Sequence, residues 1–145
     1  MIDDSRQAIV RRFFEAGWNS EDQASISDIV HEAYESNDGG FFRSASNVPG
    51  GLERLTGVDA FADHVKQYRE MYDDLRFSID RIVVDGDTVI AVWSPSGTTK
   101  ERTFTDRGGN ERPFELAGQG VSLTSVVDGK VMQHDMFWPR NAVFP

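Results

Sequence analysis

An imidazole and a carboxylate stand side by side at His134-Asp135, within the run Lys130-Val131-Met132-Gln133-His134-Asp135-Met136-Phe137-Trp138, which otherwise has the character of a protein interior. Read as a strand, the run sends successive side chains to opposite faces. Val131, Gln133, Asp135 and Phe137 then share one face, and Met132, His134, Met136 and Trp138 share the other. Whichever face looks into a cavity carries an ionisable group among large apolar neighbours. Burial disfavours the charged form of a carboxylate and brings it toward a range useful for proton transfer. The other reading of Asp135 is a strand residue held by local hydrogen bonds. His134 has three readings: it orients Asp135, it shuttles a proton itself near neutral pH, or it fills an ordinary half-buried strand position.

Elsewhere the chemistry is thinner. His64 falls in the apolar stripe of a predicted helix, where a hydrogen-bonded core role competes with a pocket role, and His31 reads as exposed. Three histidines without a helical His-x-x-x-His pair, in a chain with no cysteine, argue against a metal site. Tyr68 and Tyr72 are hydroxyl donors able to hold a carbonyl oxygen, or helix-core packing. Trp18, Trp93 and Trp138 are candidate cavity walls, although aromatic residues also fill cores for their area alone. No glycine-rich phosphate loop follows a strand.

The elements that must position these groups follow from periodicity. Asp3, Asp4 and Ser5 offer caps to a helix whose Ile9, Val10, Phe13, Phe14 and Trp18 recur at helical spacing and which ends near Asn19-Ser20. A second short helix is predicted from Ser20 or Asp22 to about Val30, then a strand from His31 to Asp38. Gly39 to Leu55 is rich in Gly, Ser and Asn yet carries Phe41 and Phe42, the composition of a lid over a site. Thr56 and Asp59 make a capping box for a third helix with Phe61, His64 or Val65, Tyr68, Met71 and Tyr72 as its stripe. Strands follow at Leu75–Val84 and Thr88–Thr99, joined by Asp85-Gly86-Asp87, a strong hairpin signal. Lys100 to Arg112 is predicted as the next reversal, Pro113 to Val127 as one long strand bent at Gly118 and Gly120, and Asp128-Gly129 as the turn into the last strand. Helices followed by an antiparallel meander predict one α+β domain over residues 1–145, with a curved sheet wrapped around the helices and a conical cavity as the place for a site. The Thr88–Thr99 strand is apolar on both faces, so it needs one cover from the helices and another from a partner subunit.

Composition narrows the partners. At 145 residues and a formal charge of -9, the chain lacks the clustered basic residues that a nucleic-acid backbone or an anionic membrane demands. No stretch approaches the roughly 20 apolar residues of a membrane span. A cytoplasmic protein with a small or neutral partner is expected.

Taken in order, Val10-Arg11-Arg12-Phe13-Phe14-Glu15 with Trp18-Asn19, Phe61-Ala62, Leu75-Arg76-Phe77-Ser78-Ile79, Ile82-Val83-Val84-Asp85-Gly86-Asp87-Thr88-Val89, Asp128-Gly129-Lys130-Val131 and Gln133-His134 resemble the SnoaL-like polyketide cyclases of the nuclear transport factor 2-like superfamily. The resemblance spans nearly the whole chain. It implies a cone-shaped α+β barrel, a homodimer through the β-sheet, a hydrophobic pocket, and no cofactor. In members that close rings by an aldol reaction, an Asp on the last strand is the acid/base. Here the residue after Gln133-His134 is Asp135, and Met136 stands where the acid often falls, so Asp135 takes that role only if the register moves by one. Where some members carry a second histidine on the preceding strand, this chain has Gln119, Ser122 or Thr124. Asp38, beyond Tyr34 on the first strand, lies where related isomerases and hydrolases carry a catalytic Asp; its other reading is a carboxylate capping the turn at Gly39-Gly40.

Two functions remain open. The first is a cofactor-independent cyclase of polyketide or related specialised metabolism, antibiotic biosynthesis included, a lyase or isomerase in type. Asp135, Asp38 or His134 would do the chemistry, and Trp18, Tyr34, Phe61, His64, Tyr68, Trp93, Gln119 and Trp138 would hold the substrate. Ring closure would be aldol-type or shape-directed, a [4+2] closure for instance; isomerisation and epoxide opening share the same pocket. The second is a non-catalytic small-molecule-binding module, since one fold serves many functions.

Overall fold

The computed structural model describes residues 4–20, 25–38 and 55–138. Helix α1, Asp4–Arg12, runs without a break into a π-helical turn, Phe13–Trp18. That turn is closed by the Asn19 N–H donating to the Phe14 carbonyl at 2.7 Å, five residues back rather than four. The wider ring lets Phe13 and Phe14, although consecutive, both enter the core, with Gly17 and Trp18 following them. Gly17 is needed for a steric reason: a Cβ there would meet Phe61 at 3.0 Å and Ile26 at 3.2 Å. Asn19 then ties the helix end to the sheet. Its Oδ1 accepts from the Phe77 N–H at 2.7 Å and its Nδ2 donates to the Phe77 carbonyl at 2.8 Å.

A 3₁₀ turn, Ile26–Asp28, leads into β1, Val30–Asp38. The short β2, Leu55–Thr56, pairs back onto β1, and α2 follows at Gly57–Met71. The remainder is β3 Tyr72–Asp85, β4 Thr88–Thr105, β5 Glu111–Glu115, β6 Gly120–Val127 and β7 Lys130–Phe137. One mixed sheet has the order β2-β1-β7-β6-β4-β3, with β5 paired to the far half of β4. The β1–β7 pair is parallel and the other pairs are antiparallel. The sheet curls into a half-barrel around the helices, the α+β architecture expected from the sequence.

Facing residues of paired strands share a face, so the registers define an inside. Phe77 and Pro95, Ala91 and Ser122, Val89 and Thr124, Trp93 and Gly120, and Ser122 and Met136 are facing pairs, and they line the concave side under α1 and α2.

Several sequence expectations shift. The second helix is reduced to the 3₁₀ turn, and residues 21–24 lie outside the described residues, as do 39–54, the expected lid. Tyr72 opens β3 instead of closing the helix. Lys100–Thr105, expected in the reversal, belongs to β4, and the turn shortens to Asp106–Asn110. Asp106 builds that turn: its Oδ1 accepts from the N–H groups of Gly108 and Asn110, and its Oδ2 accepts from Arg112 Nε at 2.6 Å. The single strand predicted over Pro113–Val127 is two strands, broken at Leu116–Gln119 where Gly118 takes φ +88°. Finally, the strict alternation along the last strand fails at its start. Ser125 faces Gln133 while Val126 faces Val131, so Met132 is an extra residue on β7. This bulge leaves Val131 inside together with His134 and Met136, and puts Met132 outside.

Candidate active site

The concave side of the sheet is an aromatic interior, and His134 is its polar centre. Its ring is completely buried and stands edge-on to Phe13 at 4.9 Å and to Phe14 at 5.7 Å between centroids. The two phenylalanines reach it because the π-turn delivers both from one helix end. Trp18 touches both buried histidines, His134 at 6.1 Å and His64 of α2 at 5.3 Å. It also packs on Phe61, Tyr68 and Phe77. Tyr34 of β1 packs edge-on to Phe61. Tyr68 stacks on Trp138 at 5.1 Å with 20° between planes, and Trp138 meets Trp93 edge-on, also at 5.1 Å.

Seven of the eight residues expected to line a pocket are therefore brought together: Trp18, Tyr34, Phe61, His64, Tyr68, Trp93 and Trp138. Gln119 is elsewhere. It lies exposed in the loop before β6 and donates to Asp80 Oδ2 at 2.9 Å. Hydrogen bonds from Ser94 and then Gln119 hold the Asp80 carboxyl below the usual carboxylate value.

A hydrogen-bonded line crosses this interior. Trp93 Nε1 donates to Ser122 Oγ at 2.8 Å, and Ser122 Oγ bonds His134 Nε2 at 2.7 Å. The backbone register sets it up: Ser122 lies on β6 between Ala91 of β4 and Met136 of β7, two residues from the pair Thr124 and His134. Ser36 of β1 faces His134 from the other side. Buried within the same interior, Trp18 Nε1, Ser36 Oγ and Thr124 Oγ1 have no hydrogen-bond partner among the described residues. An unsatisfied buried polar group costs about 1–3 kcal/mol, so these three are candidate contacts for a polar atom.

The two carboxylate candidates are placed differently. Asp135 faces Leu123 on one side and Asn37 on the other, on the outer side of the sheet, so it and His134 point to opposite faces. There its Oδ2 accepts from Gln133 Nε2 at 3.2 Å, and its Oδ1 is buried with no partner among the described residues. Asp38 ends β1 at the register of Met136, two places beyond the Ser36–His134 pair; its side chain lies outside the described residues. Among the described residues no three His, Asp or Glu side chains are grouped to hold a metal ion, and no helix is long and apolar enough to cross a membrane. A separate surface groove of about 590 Å³, lined by Ser20, Asp59, Ala62, Lys66, Arg69 and Glu70 among others, runs along α2 and shares no residue with the Trp93–Ser122–His134 line.

Sequence reasoning missed Phe77 and Ser36. Phe77 contacts Trp18, Trp93 and Trp138 at 5.0–5.5 Å, and its signal was the alternation Leu75, Phe77, Ile79. Ser36 follows from the same alternation as Tyr34.

No curated protein matches the chain in sequence. Among solved structures, a candidate SnoaL-like polyketide cyclase from Jannaschia sp. CCS1 is 16% identical with a TM-score of 0.70, over 94% of this chain and 86% of that one. A candidate polyketide cyclase from Acidithiobacillus ferrooxidans is 19% identical with a TM-score of 0.71, over 97% and 92%. A Catenulispora acidiphila protein with a ketosteroid isomerase-like fold, solved in complex with trimethylamine, is 14% identical with a TM-score of 0.66, over 91% and 85%. The family model described as the SnoaL-like domain matches residues 10–134, most of the chain, β1 to β6 whole and β7 as far as His134, and the chain belongs to that family.

Proposed function

We propose that this chain is a cofactor-independent cyclase that folds an apolar, carbonyl-bearing chain of polyketide type against its aromatic interior and closes a ring there. Such a step belongs to the biosynthesis of specialised metabolites in the cytoplasm. The observation that carries the reading is the Trp93–Ser122–His134 line set among Phe13, Phe14 and Trp18. Flat walls select a greasy substrate, and one polar line supplies a fixed point for its oxygen. Holding two ends of a chain in reacting geometry yields effective molarities on the order of 10⁵ M or more, so shape alone supplies much of the rate. In this reading Asp38, from its register beside Met136, takes the proton α to a carbonyl, and His134 holds the carbonyl oxygen. Asp135 is left to the outer face. There it neighbours the exposed Leu123 and Phe137, the proposed homodimer contact.

The outward turn of Asp135 favours one other reading, a binding module without turnover. Linear poly-β-ketone thioesters analysed by mass spectrometry, with ligand binding followed by quenching of the interior tryptophans, separate the two. Asp38→Asn and His134→Gln are expected to lower turnover by about 10²-fold or more while binding persists, and Asp135→Asn is expected to leave both within twofold. Binding without any product, unchanged across all three variants, establishes the binding module. An isomerised or ring-opened product would identify a proton-transfer or epoxide-opening enzyme in the same pocket.

A further inference from the structure

We infer that Ser122 is a positioning residue that fixes the tautomer of His134, leaving the hydrogen on Nδ1 and making the buried imidazole a hydrogen-bond donor instead of a base. The argument is a count of hydrogens. An indole Nε1–H can only donate, so in the 2.8 Å contact with Trp93 the Ser122 hydroxyl oxygen is the acceptor. The hydroxyl has one hydrogen of its own. Ser122 is fully buried, and among the described residues its Oγ bonds only Trp93 Nε1 and His134 Nε2. Trp93 cannot accept, so the hydroxyl hydrogen goes to His134 Nε2, which must then carry a lone pair. The neutral ring accordingly bears its hydrogen on Nδ1.

The alternatives fail on the same count. A hydrogen on Nε2, in the other tautomer or in the doubly protonated ring, makes Ser122 accept twice and leaves its own hydrogen buried without an acceptor. The cost of such an orphan favours the Nδ1–H form. Two further features keep the relay in place. Gly120 leaves the space that the Trp93 ring occupies, and His134 packs against Phe13 and Phe14, edge-on to both, which restrains ring flips.

The chemical consequence rests on the cyclase reading above: a ring fixed in this form polarises a carbonyl and holds the enolate oxygen that follows, while the proton is taken by another group. The tautomer itself does not depend on that reading, so the two are tested apart. Long-range ¹H–¹⁵N correlation spectra of uniformly ¹⁵N-labelled protein at neutral pH distinguish the two neutral forms and the cation, with His31→Gln and His64→Gln used to assign the His134 ring. The expected wild-type spectrum shows His134 protonated at Nδ1 alone, and Ser122→Thr, which keeps the hydroxyl, retains it. Ser122→Ala is expected to lower the Nδ1–H fraction. A wild-type His134 protonated at Nε2, alone or with Nδ1, overturns the inference whether or not any variant folds, and so does a Ser122→Ala spectrum identical to wild type. If the spectra agree while no substrate turns over, the tautomer stands and the cyclase reading falls.

Discussion

Gly120→Ala is a single methyl group with a large expected effect. A Cβ on residue 120 would lie 2.2 Å from Cη2 of Trp93, 2.5 Å from Cζ3 and 2.6 Å from Cζ2, whereas carbon atoms rest at about 3.5–4.0 Å. The indole therefore has to retreat by more than an ångström. It has little room to do so: Phe77 and Trp138 pack edge-on against it at 5.0 and 5.1 Å, and Nε1 is bonded to Ser122. Overpacking of a filled core costs about 1–3 kcal/mol, and losing the indole hydrogen bond adds about 1 kcal/mol. A loss of about 2–4 kcal/mol is a large part of the stability of a domain this size and corresponds to a fall in Tm of about 5–15 °C. Thermal melts by circular dichroism measure it, and the near-ultraviolet spectrum reports the displaced tryptophan. Gly86→Ala is the control. Gly86 has open space around it but φ +60°, so only backbone strain of about 1–2 kcal/mol is expected, with no change in the near-ultraviolet signal. A Gly120→Ala protein that melts within 2 °C or so of wild type, with its tryptophan spectrum intact, refutes the packing of Trp93 across residue 120 and with it the relay to His134.

Three further outcomes follow from the geometry. Asn19→Ala removes both hydrogen bonds to the Phe77 backbone and leaves a partly buried N–H and carbonyl behind; urea denaturation is expected to show a loss of about 1–3 kcal/mol. Asp80 has its folded-state carboxyl held below the ordinary value of 3.8 by Ser94 and Gln119. Its stabilising contribution is thus fully present above that value and is lost as pH falls through the depressed one, so Asp80→Asn should lower Tm at neutral pH and converge with wild type in strong acid. On the outer sheet face, Leu123 and Phe137 are exposed; Phe137→Glu is expected to turn a sedimenting dimer into a monomer without changing the spectrum of His134, and a wild-type protein that sediments as a monomer removes the proposed contact.

The architecture was legible because its signals are local. Asp85-Gly86-Asp87 and Asp128-Gly129 announced their hairpins, the latter with Asp128 and Gly129 both at positive φ, and the stripe of α2 was read nearly residue for residue. What escaped were features decided by pairing. The extra residue at Met132 sets which side chains join His134 inside, yet nothing in Val131-Met132-Gln133 distinguishes it, because a bulge arises from the register of β6 against β7. For the same reason Ser122 was noticed only as a residue in place of a histidine. Its importance depends on Trp93, twenty-nine positions earlier, reaching it from the neighbouring strand. The placement of Asp135 outside was open in the sequence because alternation assigns faces without saying which one is inner. The polar strand Lys100–Thr105 read as a loop since both its faces meet solvent, and only pairing with β5 makes it a strand.

The wide turn at Phe13–Trp18 has a consequence for how this interior tolerates change in chain length. In a regular helix each residue advances the side chain by about 100°, so one inserted residue re-aims everything beyond it. Here the extra residue is absorbed inside a single ring, closed by Asn19 on Phe14, so the segment before it and the aromatic cluster after it keep their faces. Deleting one residue from this turn, Glu15 for instance, which is exposed, would keep the composition of the interior almost unchanged. It would return the ring to the regular closure four residues back, leaving the faces of α1 and of Trp18 as they are while removing the widening by which the consecutive Phe13 and Phe14 both reach His134.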